Sequence, residues 1–311
     1  MDKNDFIKTE ACLYCDSNKM KKFYSQDNWT VYKCKSCGFI FTNPFPKKEV
    51  IHRYYDYDYF KDERHIKKFF NIDGSLKYEN NNYNNRVVDI ENEFEKRGNL
   101  LEIGAAHGEF LNVMKERGWN VKGVEISEAA CKIAKDKYNI ELFNGNFLNF
   151  VSEEKFDVIC MYQTLEHVHD FFEHLLKAKE MLKKGGIIVI EVPNIRAFDM
   201  MFSKKRRWYS YDLPRHLNHF YPAFLKKVAN KLSLNIISLD TYYPMFIVKM
   251  YEAKQKKNNA KRKNNQISNN SRDNHKNIDL KRKHMSFKGN LLKKLFKLLP
   301  GWKFTIIMQT K

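Results

Sequence analysis

Between Asn99 and about Asp240 the chain alternates short apolar runs with stretches whose apolar residues recur every three or four positions. Leu100–Ile103, Val121–Glu125, Ile140–Phe143, Phe156–Met161, Gly186–Val192 and Leu234–Leu239 are strand-sized runs. Phe110-Leu111-x-x-Met114 and Ala129-Ala130-x-x-Ile133-Ala134 lie between them with helical spacing. Strands that alternate with helices predict an α/β fold, a doubly wound parallel sheet with crossover helices on its faces. A seventh run, Phe304–Met308, reads as a strand that rejoins the sheet.

The ends of the chain follow a different pattern. Cys12-x2-Cys15 and Cys34-x2-Cys37-Gly38 are separated by eighteen residues, with alternating Trp29-Thr30-Val31-Tyr32 between them. That spacing suits a four-thiolate structural zinc site, and residues 1–45 are too few to stabilise themselves by core burial. A pair of redox dithiols is the other reading of the same cysteines. Asn43-Pro44-Phe45-Pro46 forms a stiff boundary. Residues 46–98 are expected to be a helical linker or cap, in which Tyr54–Phe60 either walls a ligand or docks the ribbon on the main domain. The core would then run from 99 to 252. Residues 253–285, rich in Lys, Arg, Asn and Ser, are expected to be a disordered basic insert. In 286–311 a basic amphipathic helix, Leu291–Leu299, precedes the final strand; it either lies on an anionic membrane or packs back on the domain.

Composition narrows the function classes. The chain has 311 residues, 43% of them hydrophobic, with only 12 Gly and 7 Pro, which excludes a collagen-like or low-complexity protein. Its formal charge of +19 sits at one end: residues 253–311 hold 17 Lys and Arg against Asp273 and Asp279, a net of +15 that leaves +4 for residues 1–252. The main body is therefore nearly neutral. No run approaches the ~20 apolar residues of a membrane span, and Met1–Asp5 lacks a secretory h-region. Cytoplasmic placement is expected, in keeping with six cysteines of which four pair as Cys-x-x-Cys while Cys131 and Cys160 stand alone.

The candidate chemistry gathers at Leu101-Glu102-Ile103-Gly104-Ala105-Ala106-His107-Gly108-Glu109, where a strand enters a glycine turn that opens a helix. Open α/β sheets bind ligands at this edge. A dinucleotide loop would need glycines at 104, 106 and 109, whereas this chain has Ala106 and Glu109, and no Gly-Lys-Ser/Thr marks a P-loop. The pattern present is Glu-x-Gly-x-x-x-Gly, from Glu102, Gly104 and Gly108. A glutamate there suits a cationic ligand end and would repel a pyrophosphate. Glu125, twenty-one residues after Gly104, ends the second strand and can accept two ribose hydroxyls; capping the helix near Ser127 is its plainer role. Asn146-Phe147 follows the third strand, where an amide and a ring can read an adenine edge and cover its face. Gln163-Thr164-Leu165-Glu166-His167 follows the fourth.

Together these residues resemble a class I S-adenosylmethionine-dependent methyltransferase over about Leu100–Leu239. The resemblance implies a Rossmann-like, seven-stranded sheet ending in an antiparallel hairpin. It places Glu102, Ile103, Gly104, Ala105 and Gly108 around the methionine part, Glu125 and Ile126 at the ribose, Asn146 and Phe147 near adenine, and Gln163 at the methionine side. The whole chain is similar to bacterial small-molecule methyltransferases with an N-terminal zinc ribbon, here Cys12, Cys15, Cys34 and Cys37. Pro214-Arg215-His216-Leu217-Asn218-His219-Phe220-Tyr221-Pro222 resembles their motif after strand five.

Methyl transfer from a sulfonium depends mainly on positioning, and a base is needed when the acceptor is a hydroxyl or a ketone-adjacent carbon. His167 is the first candidate base, followed by His216 and His219 on the loop from Asn194 to Tyr221; structural pinning of that loop is the alternative for the latter two. Glu166-His167 also resembles the metal-binding pair of ubiquinone-type O-methyltransferases, but Gln163 stands where another carboxylate would help, so a catalytic metal is not the favoured reading. The expected activity is methylation of a small-molecule acceptor, such as a sugar or surface-polysaccharide precursor. The rival is an RNA methyltransferase using the basic tail. Against it stand the near-neutral body and the lack of the Pro-Pro-aromatic and Pro-Cys motifs of base methylation. A non-catalytic module tethered to a membrane is the third class.

Overall fold

The computed structural model describes residues 3–26, 28–51, 81–94, 96–197, 211–242 and 303–310. Tyr54–Phe60, the basic insert at 253–285 and the amphipathic helix at Leu291–Leu299 lie outside the described residues.

The N-terminal part contains strands β1 (Phe6–Ile7), β2 (Met20–Gln26), β3 (Trp29–Cys34), β4 (Ile40–Thr42) and β5 (Phe45–Pro46). Helix α1 (Asn81–Glu91) precedes β6 (Asn99–Ile103), α2 (Glu109–Glu116), β7 (Asn120–Glu125), α3 (Glu128–Tyr138) and β8 (Phe143–Asn144). Next come β9 (Phe156–Tyr162), α4 (Phe171–Met181), β10 (Leu182–Pro193), β11 (Asn218–His219), α5 (Pro222–Lys231), β12 (Asn235–Tyr242) and β13 (Lys303–Gln309).

Seven strands form one sheet in the order β12-β13-β10-β9-β6-β7-β8. Neighbours from β10 to β8 are parallel, while β13 runs antiparallel to both β10 and β12. The expected doubly wound sheet with its terminal hairpin is therefore present. Its central strands are buried on both faces, which is why they read as unbroken apolar runs. Leu101, Ile159, Ile188, Ile190 and Ile306 face α4, α5 and the ribbon; Leu100, Val158, Ile187, Val189 and Ile307 face α1 and α2.

Two strands start more than one residue from where they are expected. The third strand is Phe143–Asn144 rather than Ile140–Phe143, because Asn139 ends α3 in a left-handed conformation (φ 50) and buried Ile140 packs beneath that cap. The fifth starts at Leu182, with a register shift between Leu182 and Ile187 taken up at Gly185 and Gly186.

The ribbon is joined to the core. Its sheet runs β2-β3-β4-β11, so the last strand comes from the segment after β10. Phe39 packs on Phe171 and Phe224 at 5.0 and 5.1 Å, and Tyr14 meets the same two rings. No helix among the described residues is long and apolar enough to cross a membrane.

Candidate functional site

The glycine loop leaves β6 at the carboxyl edge of the sheet. Gly104 has φ +73, and a Cβ there would lie 2.3 Å from Thr164 Oγ1. Gly104 and Ala105 both donate N–H to the Val124 carbonyl, at 2.8 and 3.1 Å. Gly108 (φ +76) caps α2 and brings it within 3.1 Å of the Ala134 methyl, measured from an added Cβ. Both glycines thus serve backbone conformation and close approach.

Glu125 at the end of β7 spans the loop and the next helix. Its Oε2 accepts the Ala106 N–H at 2.9 Å and its Oε1 accepts the Ser127 N–H at 2.9 Å, while Ser127 itself caps α3. Glu125 therefore holds the cap residue and does not cap α3 itself, and these contacts set its carboxylate beside the glycine turn. Each carboxylate oxygen keeps a lone pair for a diol. Ile126 beside it is 45% exposed, and Phe143 on β8 is 37% exposed.

The ring of Phe147 corrects one expectation. It is buried, packs against Phe150 and His174 and sits under the Lys177 ammonium, so it belongs to the core and cannot cover an adenine face. Exposed Ile126 and Phe143 are the apolar side chains at that edge. Asn146 caps the short turn Phe147–Asn149 by accepting the Leu148 N–H at 2.8 Å.

Glu102 is fully enclosed. Burial pushes its carboxyl up to about 8 against the pull of Arg86, and its Oε2 has no hydrogen-bond partner; the buried Tyr162 hydroxyl is likewise unpartnered. An orphaned buried carboxylate oxygen at this edge fits a ligand that presents a cationic N–H group. Gln163 has φ 55 and donates its backbone N–H to the Glu191 carbonyl at 2.8 Å, which places it at the end of β9 next to the Gly104–Thr164 contact.

Sequence reasoning missed the charged group behind this edge. Glu191 Oε1 accepts from Arg86 at 3.0 Å and Oε2 from Lys303 at 2.9 Å, and the Arg86 guanidinium lies 4.0 Å above the Tyr162 ring. Burial opposes the charge of Glu191, but the two cations outweigh it and hold the carboxyl below its ordinary range. These partners are 105 and 112 residues apart in sequence, so no local pattern announces them.

The three candidate histidines come together. His167 and His216 have ring centroids 4.6 Å apart, and His219 lies 6.5 Å from His216. The His167 Nδ1 donates to the Arg215 carbonyl at 3.1 Å, and burial drives its pKa down to about 3. His219 is driven well below its ordinary value by burial and then by His216. Asp212, another residue without a local signal, stands 3.8 Å from His216 Nε2 and accepts from Arg215 at 2.6 Å. Glu166, His167 and His216 each bring one potential ligand atom within 4.8 Å of the others, and both carboxylate oxygens of buried Glu166 lack partners. Burial pushes Glu166 up to about 8.

These shifts set a pH optimum for the unliganded fold. Glu102 and Glu166 titrate near 8 when folded and near 4.5 when unfolded, so their contribution is complete below 4.5 and lost as pH rises toward 8, at up to about 1.4 kcal/mol per unit for each group. His167 acts oppositely: its contribution is present above 6.5 and lost as pH falls toward 3. Denaturant unfolding between pH 6.5 and 8, above the range in which the histidines titrate in the unfolded chain, should show stability falling with pH, and Glu166→Gln should flatten that slope. An unchanged slope in the variant would refute the assignment.

In the ribbon, Cys12, Cys15, Cys34 and Cys37 place all four sulfurs within 4.8 Å of one another. The shortest separations cross between the two pairs, Cys12–Cys37 and Cys15–Cys34, each 3.6 Å. A tetrahedron with zinc–sulfur bonds of ~2.3 Å has edges of about 3.8 Å, so the four thiols fit such an ion. Backbone N–H groups of Cys37 and Phe39 point at Cys34 and Cys37 sulfurs, as a thiolate knuckle requires.

Comparison with known proteins agrees with this geometry. The sequence profile of a methyltransferase domain matches residues 76–239, which is over half of the chain. An uncharacterized methyltransferase of Alkaliphilus oremlandii is 26% identical over 170 residues, covering 42% of this chain and 79% of that protein. A ubiquinone biosynthesis O-methyltransferase of Nitrosospira multiformis is 25% identical over 134 residues, 41% of this chain and 56% of its own length. A SAM-dependent methyltransferase structure from Archaeoglobus fulgidus shares the fold with a TM-score of 0.50 at 20% identity, over 82% of this chain and 100% of that one. With the β12-β13-β10-β9-β6-β7-β8 order of its sheet, its Glu-x-Gly-x-x-x-Gly turn and its matching domain profile, the chain belongs to the class I S-adenosylmethionine-dependent methyltransferases.

Proposed function

We propose that the protein transfers the methyl group of S-adenosylmethionine to a hydroxyl or an acidic carbon of a small-molecule acceptor, a sugar or surface-polysaccharide precursor being the class that fits best. The observation that carries this reading is the buried imidazole–carboxylate group, His167, His216, Asp212 and Glu166, one turn beyond the Gly104–Thr164 contact. An amine acceptor would have little use for it.

S-adenosylmethionine, when bound, supplies an electrophilic sulfonium methyl and departs as a neutral thioether. Glu102 would hold the methionine ammonium, Glu125 the ribose diol, and Ile126 with the Asn146 turn the adenine, while Gln163 borders the methionine side. Of the three imidazoles, His216 is the base: Asp212 faces its Nε2 and stabilises the imidazolium. His167 is held neutral with Nδ1 committed to a carbonyl. Neither the near-neutral charge of residues 1–252 nor the buried base favours an RNA acceptor. The ribbon cysteines would carry a structural zinc ion, and cytoplasmic placement goes with that reading.

The test is calorimetry with S-adenosylhomocysteine, followed by labelled cofactor offered to small-molecule, lipid-linked and RNA fractions of cell extract. Binding that falls at least tenfold in Glu125→Gln, with label in the small-molecule fraction, is expected. No binding heat, or label confined to RNA, defeats the proposal.

A second reading rests on the Glu166–His167–His216 group, whose partnerless carboxylate would suit a divalent cation that acidifies the acceptor hydroxyl. Elemental analysis separates the two: one metal per chain supports the base alone, whereas a second equivalent lost in Glu166→Gln supports the cation.

A further inference from the structure

Thr42 ends β4 of the ribbon and is completely buried, yet its polar partners lie more than 170 residues away in the core. Its N–H donates to the Leu217 carbonyl at 2.9 Å. Its hydroxyl donates to the His216 carbonyl at 2.7 Å, and the same oxygen is 3.0 Å from His219 Nε2. A hydroxyl has one proton, and a carbonyl only accepts. With that proton given to His216, the Thr42 oxygen is only an acceptor toward His219, so Nε2 carries the imidazole proton and Nδ1 keeps the lone pair.

The contact stands in the middle of a row of rings. Tyr24 of the ribbon stacks on Tyr211 at 4.2 Å, Tyr211 meets His219 at 5.6 Å, His219 lies 6.5 Å from His216, and His216 lies 4.6 Å from His167. The ribbon therefore reaches the turn after β9 through consecutive aromatic side chains.

We propose that Thr42 is a positioning residue for methyl transfer: a ribbon hydroxyl that locks His219 as the Nε2–H tautomer and holds the His216 backbone, and with it the His216 ring, against the reacting centre. The proposal rests on the reading of His216 as the base. It makes the ribbon part of the catalytic architecture, although its thiols themselves form a closed shell that does no chemistry.

The experiment uses the zinc-loaded full chain labelled with 15N-histidine. Long-range proton–nitrogen spectra should show His219 as Nε2–H across pH 5.5–8.5, in wild type and in Thr42→Ser, which keeps the hydroxyl. Thr42→Val should lose that single tautomer. Label transfer to the acceptor fraction should fall at least tenfold in Thr42→Val and return to within threefold in Thr42→Ser, with zinc content and S-adenosylhomocysteine affinity held within twofold. An Nδ1–H tautomer for His219 in wild type overturns the proposal, as does a Thr42→Val protein whose spectrum and transfer match wild type. Should Thr42→Val not fold, the wild-type spectrum and Thr42→Ser decide. Absence of S-adenosylhomocysteine binding would defeat the functional reading and leave the tautomer result standing.

Discussion

Gly104→Ala should cost the fold about 2–5 kcal/mol and reduce affinity for S-adenosylhomocysteine at least a hundredfold. Two effects add. An L side chain at φ +73 pays the left-handed penalty of about 1–2 kcal/mol. The new methyl would also lie 2.3 Å from Thr164 Oγ1 and 2.6 Å from its Cγ2, an overpacking worth about 1–3 kcal/mol. Relief of the clash has to move Thr164, whose carbonyl accepts the His167 N–H at 2.9 Å, so the displacement passes into the turn that carries Glu166 and His167. Gly185 is the internal control: its φ is +75 but a Cβ there meets nothing within 4 Å. Gly185→Ala should therefore show the conformational penalty alone and leave ligand affinity intact. Denaturant midpoints and calorimetry on both variants decide the matter; equal losses in the two would remove the steric half of the account.

Cys34→Ser should abolish stoichiometric zinc and loosen more than the ribbon. Metal binding in small thiolate sites is worth about 10–16 kcal/mol in isolated peptides and doubles as folding free energy. The sulfur is fully buried and has two backbone N–H groups and Cys15 near it, so a serine hydroxyl replaces it poorly. The loss reaches the core because β4 pairs with β11, the Tyr221 hydroxyl bonds the Gly38 carbonyl at 3.0 Å, and Lys227 bonds the Cys37 carbonyl at 3.3 Å. Amide exchange at His219, which pairs with Ile40, and at Phe39 to Asn43, should accelerate at least a hundredfold, while Leu100–Ile103 in the central sheet stays protected. Protection at His219 that survives loss of the metal would show the ribbon to be an appended module.

The glycine turn was legible because its chemistry is local. Glu102, Gly104 and Gly108 lie within seven residues of one another, and the turn they form is dictated by neighbours in the chain. Glu125 was found by its strand-end position, although its present partners, the N–H groups of Ala106 and Ser127, had to be seen. Phe147 was misjudged in its side-chain direction: the short turn after Asn146 points the ring inward onto His174, and a one-residue difference in a turn reverses which side chain faces the ligand.

Sequence alone determined the alternation of strand and helix, the doubly wound sheet, the four thiols and the carboxylate-and-glycine turn, since each depends on periodicity or spacing within a few dozen residues. Tertiary structure alone decided that the ribbon's sheet is completed by Asn218 and His219, that Arg86 and Lys303 flank Glu191, and that Asp212 faces His216. Those contacts join positions from about a hundred to nearly two hundred residues apart, or turn on side-chain direction within a loop. Burial in a shared low-dielectric interior, which no local pattern encodes, is what makes their charges and protons matter.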